Sequence, residues 1–313
     1  MPHAAQYVTD VPTFTHIPFG LLSSLSTEIR TPTDPHWQNG IVYEPLCGAG
    51  NTTFDECIAI TGTGFPLGSA GPVPPQPTKV DNGGLDRRGA RSFTVFAEAD
   101  CGAPGYWDRA VQTATELLNR VEEFQVETAF WTGVAGGQQI VWPHLAANAV
   151  VTGSANEILQ TSAVVVSGST LDPVEGLGAL EAALGSCYTG VGVIHVPRIL
   201  APAFANDMLI TREGQRYRTA NGNVVVFGSG YTGSGPDGTL TPGAAWIYAT
   251  GYPMIYRSDV LPARSRPVEL FDRSENTVKA IAERVYVIGW DCCHFAARIT
   301  TGGVSTGTFG QAT

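Results

Sequence analysis

A chain of 313 residues with 43% apolar content can bury one large core or two modest subdomains, which excludes a disordered protein. Its charged fraction of 15% is low and its 37 glycines and 21 prolines are many, so turns, hairpins and extended arms must fill much of a β-rich or mixed fold. A formal net charge of -10 gives no general pull toward nucleic acid and argues against sequence-specific binding of it.

Residues 1–65 carry apolar side chains without sustained periodicity, interrupted by Pro12, Pro18, Pro32, Pro35 and Pro45. Such a segment cannot make its own core, yet Phe14, Phe19, Leu21, Leu22, Leu25, Trp37, Tyr43 and Leu46 are too apolar for a solvated tail. It reads as an extended N-terminal arm that must lie on the rest of its own subunit or on a neighbour, and that finds its full cover only on sister copies. The first residues lack a basic segment ahead of an apolar run, so no secretion signal is expected. No run reaches the roughly 18 to 20 apolar residues of a membrane span, and the expectation is a protein made in a cytoplasm with no membrane partner.

Residues 66–103 are a loose stretch of Gly, Pro and charge that includes Lys79, Arg87 and Arg88, and they read as an extended loop. Its end, Arg91 to Glu98, is β-branched and aromatic and predicts a strand. From Pro104 to about Phe130, Trp107, Ala110, Val111, Ala114, Leu117, Leu118, Val121 and Phe124 recur at steps of three and four. They predict one helix roughly 40 Å long, a spine across most of a subunit. Glu116 and Arg120 are spaced as a helix pair on it.

Asp172-Pro173-Val174-Glu175 offers an N-cap, a proline at the first helical position and a carboxylate three residues on, so a second helix begins there. Leu177, Leu180 and Leu184 form its buried stripe, and Gly185 or Gly190 can end it. A buried strand over 192–196 follows, then a short helix or turn over 197–208 and a charged hairpin over 211–217. Strands over 223–227 and 246–250 flank a glycine-rich loop, 228–243, which reads as flexible. Alternation from Val285 onward within 278–299 predicts one long closing strand.

Several motifs invite chemistry. Adjacent residues on a strand face opposite ways, so Cys292 and Cys293 beside His294 suit core packing better than a shared metal ion. For the six cysteines together, buried thiols are the expectation, against a pairing of Cys47 with Cys57, or of either with Cys101, that would clamp arm to loop. His144 and His195 lie in apolar contexts and read as core histidines. No Gly-x-Ser-x-Gly elbow, phosphate loop, HExxH or dinucleotide fingerprint occurs, and no catalytic, cofactor or metal residue is assigned. Trp131, Trp142, Trp246 and Trp290 read as interface or core anchors.

The order of these elements resembles the major capsid protein of the Hong Kong ninety-seven fold found in tailed bacteriophages. Gly192-Val193-Ile194-His195-Val196-Pro197-Arg198 looks like that family's strand ending in a His-Pro-Arg turn, ahead of a helix and the hairpin Thr211-Arg212-Glu213-Gly214-Gln215-Arg216-Tyr217. Gly222-Asn223-Val224-Val225-Val226 matches a further strand loosely, and Glu283-Arg284 before the last apolar strand resembles the family's closing Glu-Arg strand. The resemblance implies an α+β fold with an N-terminal arm (1–65), an extended loop (66–103), a peripheral domain with a spine helix (104–170), an axial domain (171–255) and a return to the peripheral domain (256–313).

The function implied is a shell subunit, not an enzyme, forming pentamers and hexamers around double-stranded DNA in a phage head assembled in the host cytoplasm. Scaffold, portal and decoration proteins are the further partners implied, with nonspecific arginine contacts to the packaged DNA. An encapsulin-like compartment, a tail or baseplate component, or a hydrolase of unrecognised type are the alternatives. Candidate interface residues are Phe14, Phe19, Trp37, Tyr43, Lys79, Arg87, Arg88, Trp107, Trp131, Arg198, Glu283 and Arg284. Some members of the family weld subunits by a lysine–asparagine isopeptide bond promoted by a glutamate. Lys79 and Asn276 would be the partners here, but Ala282 stands in the glutamate's place, so Lys79 reads as a solvated loop charge.

Overall fold

A computed structural model describes residues 17–45, 87–102, 107–154, 156–188, 190–262, 271–272 and 277–302. The expectations on Phe14, Leu46, Cys47, Cys57, Lys79 and Asn276 lie outside these residues.

A short helix, α1 (Leu21–Ser24), is followed by β1 (Ile29–Arg30), β2 (Ile41–Tyr43) and β3 (Arg88–Ala90). The eleven-residue β4 (Ser92–Gly102) leads into the 26-residue α2 (Trp107–Thr132). Short strands come next: β5 (Val134–Ala135), β6 (Gln138–Gln139), β7 (Val151–Thr152), β8 (Ile158–Gln160) and β9 (Val164–Val165). Then follow α3 (Pro173–Cys187), β10 (Val193–Pro197), α4 (Ala201–Asn206), the hairpin β11 (Thr211–Glu213) and β12 (Arg216–Arg218), β13 (Val224–Gly228) and β14 (Ala244–Thr250). The chain closes through β15 (Pro253–Arg257), β16 (Leu261–Pro262), β17 (Phe271–Asp272), β18 (Thr277–Trp290) and β19 (His294–Thr300). The architecture is mixed α+β with several sheets.

The first sheet is built on β18, which pairs antiparallel with β4 from Thr277–Gly102 to Val287–Ser92, and on its other side with β15, β16 and β17. Strand alternation turns Phe93, Val95, Ala99, Ala280, Ala282 and Tyr286 inward, where they share a core with Ala110, Ala114 and Leu118 of α2. The second sheet has seven strands in the order β11-β12-β13-β10-β14-β19-β9. Every residue of β10 and β13 is buried because this sheet is covered on both faces. Val193, Val224, Val226 and Tyr248 face the α2 core, while Ile194, Val196, Val225 and Phe227 face Leu177, Leu180 and Leu184 of α3 and Phe204 of α4. Asp172 caps α3 by accepting from the backbone N–H of Val174 (2.8 Å) and Glu175 (2.9 Å). Neither glycine ends α3, which continues through Gly185 to Cys187.

Three expectations are corrected. The closing strand is two strands in different sheets, separated by a turn at 291–293 in which Cys293 takes a left-handed conformation (φ 66°). That turn carries Cys293 to the end of α3, where it is disulfide-bonded to Cys187, with the two Cα atoms 6.1 Å apart; Cys292 is disulfide-bonded as well, so for these three cysteines the thiol expectation is overturned. The glycine-rich loop is packed in its first half: Gly230, Tyr231 and Ser234 are buried against α2. A Cβ at Gly230 would stand 2.3 Å from the carbonyl oxygen of Phe124, so the close approach needs glycine.

Candidate functional site

The N-terminal segment binds the two sheets together. Phe19, in a left-handed conformation (φ 68°), accepts a backbone hydrogen bond from Phe227 of β13 (2.8 Å), and its ring lies 4.3 Å from that of Tyr217. Arg212 sits over the same ring at 5.3 Å, and Arg198 donates to the carbonyl of Pro18 (3.2 Å). One turn on, Leu21 and Leu25 are fully buried in the α2 core. The backbone N–H of Leu21 donates to Glu127 of α2 (2.8 Å) and that of Ser23 to Glu123 (3.0 Å). Glu28 then accepts from Arg216 (3.2 Å) and Tyr252 (2.9 Å), which returns the segment to the β12 hairpin.

A second cluster fixes α2 to the closing strand. Glu122 is buried and accepts from Arg284 of β18 (2.5 Å) and from the hydroxyl of Tyr286, with Arg257 of β15 at 3.8 Å. Burial lowers the Arg257 pKa, with the neighbouring Arg284 charge second.

A third region joins Trp37, Ala90 and Val287 in a small core of their own. The Tyr43 hydroxyl donates to the carbonyl of Trp290 (2.7 Å), and burial pushes its pKa up to about 12. Behind this seam three histidines are held neutral by burial, with pKa values lowered to about 4 for His144, about 3 for His195 and about 4 for His294. His195 is bonded at Nδ1 to the Tyr231 hydroxyl and at Nε2 to that of Thr250, both at 3.0 Å, and so is fully occupied as a core residue.

The candidate interface residues scatter accordingly. Phe19 and Arg198 meet in the N-terminal clamp, while Trp37, Tyr43 and Arg88 meet in the seam, where Arg88 reaches the carbonyl of Asp291 at 3.4 Å. Arg87 is exposed and its carbonyl accepts from Ile158 (2.8 Å). Trp107 is the first residue of α2, and Glu283 lies half-buried on β18 opposite Phe96. Arg284 faces inward to Glu122. Trp131 is fully buried, donating from Nε1 to the carbonyl (3.2 Å) and hydroxyl (3.1 Å) of Ser234, so it offers a neighbour no surface.

Leu21, Leu22, Leu25 and Trp37 are buried within their own chain, so the described part of the arm does not depend on sister copies for cover. Tertiary contacts supply what the missing periodicity withheld: α1 sits in the angle between α2 and β13, and Trp37 in the gap beside Ala90 and Val287.

No protein-family model and no curated protein matches the sequence. Among solved structures, the chain is similar to the capsid of an empty GTA particle at 12% identity, over 93% of this chain and 100% of that one, with a TM-score of 0.49. It is similar to a structure titled Mycobacterium phage Ogopogo at 11% identity, over 95% and 97%, with a TM-score of 0.49. A third is the holo-SrpI encapsulin complex from Synechococcus elongatus PCC 7942, at 7% identity, over 73% and 79%, with a TM-score of 0.42.

Glu122 and Glu127 are the functional-looking residues that sequence reasoning passed over. A signal existed: Leu118, Glu122 and Val126 follow at steps of four, so a carboxylate stands in phase with the buried row. Leu117 and Phe124, assigned to that stripe, are exposed on the flank of α2. Among the described residues no group of three or more His, Cys, Asp or Glu is arranged to hold a metal ion. No described helix is long and apolar enough to cross a membrane.

Proposed function

We propose that this chain is the subunit of a self-assembling icosahedral shell, and within that class the major capsid protein of a tailed bacteriophage with the Hong Kong ninety-seven fold. The observation that carries the reading is topological. β4 and α2 follow one another directly, yet β18, the strand that completes their sheet, arrives only after most of the seven-stranded sheet has been made. This order of strand, long helix, second sheet and returning strand, with Glu283-Arg284 on the returning strand, supports the reading.

In this reading the subunits form pentamers and hexamers enclosing double-stranded DNA. Scaffold, portal and decoration proteins are further partners, contacts with DNA are nonspecific, and the protein catalyses nothing. Leu21, Leu22, Leu25 and Trp37 are covered within the subunit, so the packing of this segment does not wait on association. The outer face of the first sheet is one surface available to it: Phe96 is 55% exposed there beside Thr94, Glu98 and Asp100. At roughly 25 cal/mol per Å² of apolar area, covering several such faces in an obligate contact outweighs the loss of subunit freedom.

Electron microscopy of the purified full-length chain tests the proposal. Closed shells, capsomers or tubes are expected, and a stable monomer at high concentration overturns it. Nucleic acid in the lumen of shells from an infected host supports the phage head, whereas enclosed protein supports an encapsulin-like compartment.

A further inference from the structure

Glu123 and Glu127 lie one turn apart on α2 and both face the N-terminal segment. Glu127 is fully buried. Its oxygens accept from the backbone N–H of Leu21 (2.8 Å) on one side and of Gly230 (2.8 Å) on the other, so one carboxyl joins α1, α2 and the loop after β13. Gly20 passes so close that a Cβ there would stand 2.3 Å from a Glu123 oxygen and 2.7 Å from a Glu127 oxygen. The groups that face Glu127 are Glu123 from its own helix, the N–H groups of Leu21, Gly230 and Ser229, and the Tyr231 ring, whose hydroxyl bonds neutral His195. Among the described residues no arginine, lysine or charged histidine faces it.

We infer that Glu127 is a proton-operated latch for the N-terminal segment: protonated, it holds residues 20–25 against α2, and ionised beside Glu123 without a counter-cation, it releases them to let water reach the carboxylate. A buried negative charge next to a second carboxylate is costly, and lifting the segment is the shortest way to hydrate it. Burial, with Glu123 adding to it, raises the Glu127 pKa to about 8. Released, the group returns to the ordinary carboxylate range near 4.5, so the docked form holds one more proton between those values. Docking therefore weakens as pH rises, up to about tenfold per pH unit until pH 8, and levels off above it. The inference stands whether or not the chain builds a shell.

Hydrogen exchange of the full-length protein, corrected for the intrinsic pH dependence of exchange, tests it at the amides of Leu21 and Ser23. Protection in the wild type is expected to fall about a hundredfold between pH 6 and pH 9. Glu127→Gln removes the titrating charge but leaves one oxygen for two N–H donors, so protection is expected to be lower than in the wild type at pH 6 and no longer to change with pH. Glu123→Gln removes the neighbouring charge and should move the levelling-off to lower pH. Wild-type protection that does not change with pH, or a Glu123→Gln profile that superimposes on the wild type, overturns the latch even if Glu127→Gln fails to fold.

Discussion

Arg284 on β18 and Glu122 on α2 meet at 2.5 Å, 162 residues apart in the chain, with Arg284 only 17% and Glu122 only 5% exposed at their side chains. Tyr286 and Arg257 converge on the same carboxylate. This pair ties the spine helix to the strand that returns from the far sheet. Removing one member strands the charge of the other in a dry site.

Glu122→Ala is therefore expected to destabilise the fold by about 3–5 kcal/mol, because Arg284 and Arg257 lose their shared counter-charge together. Urea unfolding followed by tryptophan fluorescence measures it. A loss under about 1 kcal/mol would mean that water reaches the cluster and that the pair behaves as a surface bridge.

Two glycines should respond in opposite directions to the same substitution. Gly230→Ala places a methyl against the Phe124 carbonyl, which as backbone cannot step aside, so a loss of about 1–3 kcal/mol is expected. Gly178, on the exposed side of α3, has no atom of the described residues within 4 Å of its Cβ position, and Gly178→Ala should add about 0.5–1 kcal/mol through helix propensity. Thermal midpoints of the two variants beside the wild type decide the matter. Equal shifts of one sign would refute the packing of the 228–235 loop against α2.

The cap of α3 gives a smaller, local expectation. Asp172→Ala removes the acceptor of two backbone N–H groups and should cost about 0.5–2 kcal/mol, while Asp172→Asn should cost less. Chemical denaturation of both variants checks this. Identical losses would show that the residue acts through its charge and not through its hydrogen bonds.

What was legible from the residues is what repeats locally. The Leu177, Leu180, Leu184 stripe behind the Asp172 cap, the fully buried β10, and the long helix after Pro104 all announce themselves in the residue pattern, and each lies where it was expected within a few residues. What stayed hidden depends on contacts between distant parts of the chain. Trp37 could not be assigned its own-chain pocket, because Ala90 and Val287, which line it, are more than fifty and more than two hundred residues away. The Cys187–Cys293 bond spans 106 residues and requires a break at Asp291 to Cys293 that β-branching on both sides concealed. Glu127 carried no cation at helical spacing, since its partners are backbone N–H groups.

Acid and alkali should each weaken the fold, for different reasons. His144, His195 and His294 have folded pKa values of about 3–4, below the ordinary 6.5, so between these limits the unfolded chain binds more protons and stability falls as pH drops. Glu127 runs the other way: its folded value of about 8 exceeds the ordinary 4.5, so its contribution falls as pH rises through that window. From about pH 6 down to 4.5 three histidine protons oppose one glutamate proton, a net of two and a slope of at most roughly 2.7 kcal/mol per pH unit. From pH 7 to 8 the unfolded histidines give up their last protons and Glu127 becomes the larger influence, with less than about 1.4 kcal/mol per unit in the opposite sense. The thermal midpoint should thus peak between about pH 6 and 7, fall steeply toward pH 4.5 and gently toward pH 8. A midpoint that is flat from pH 7 to pH 5 would show that the histidines reach water in the native state.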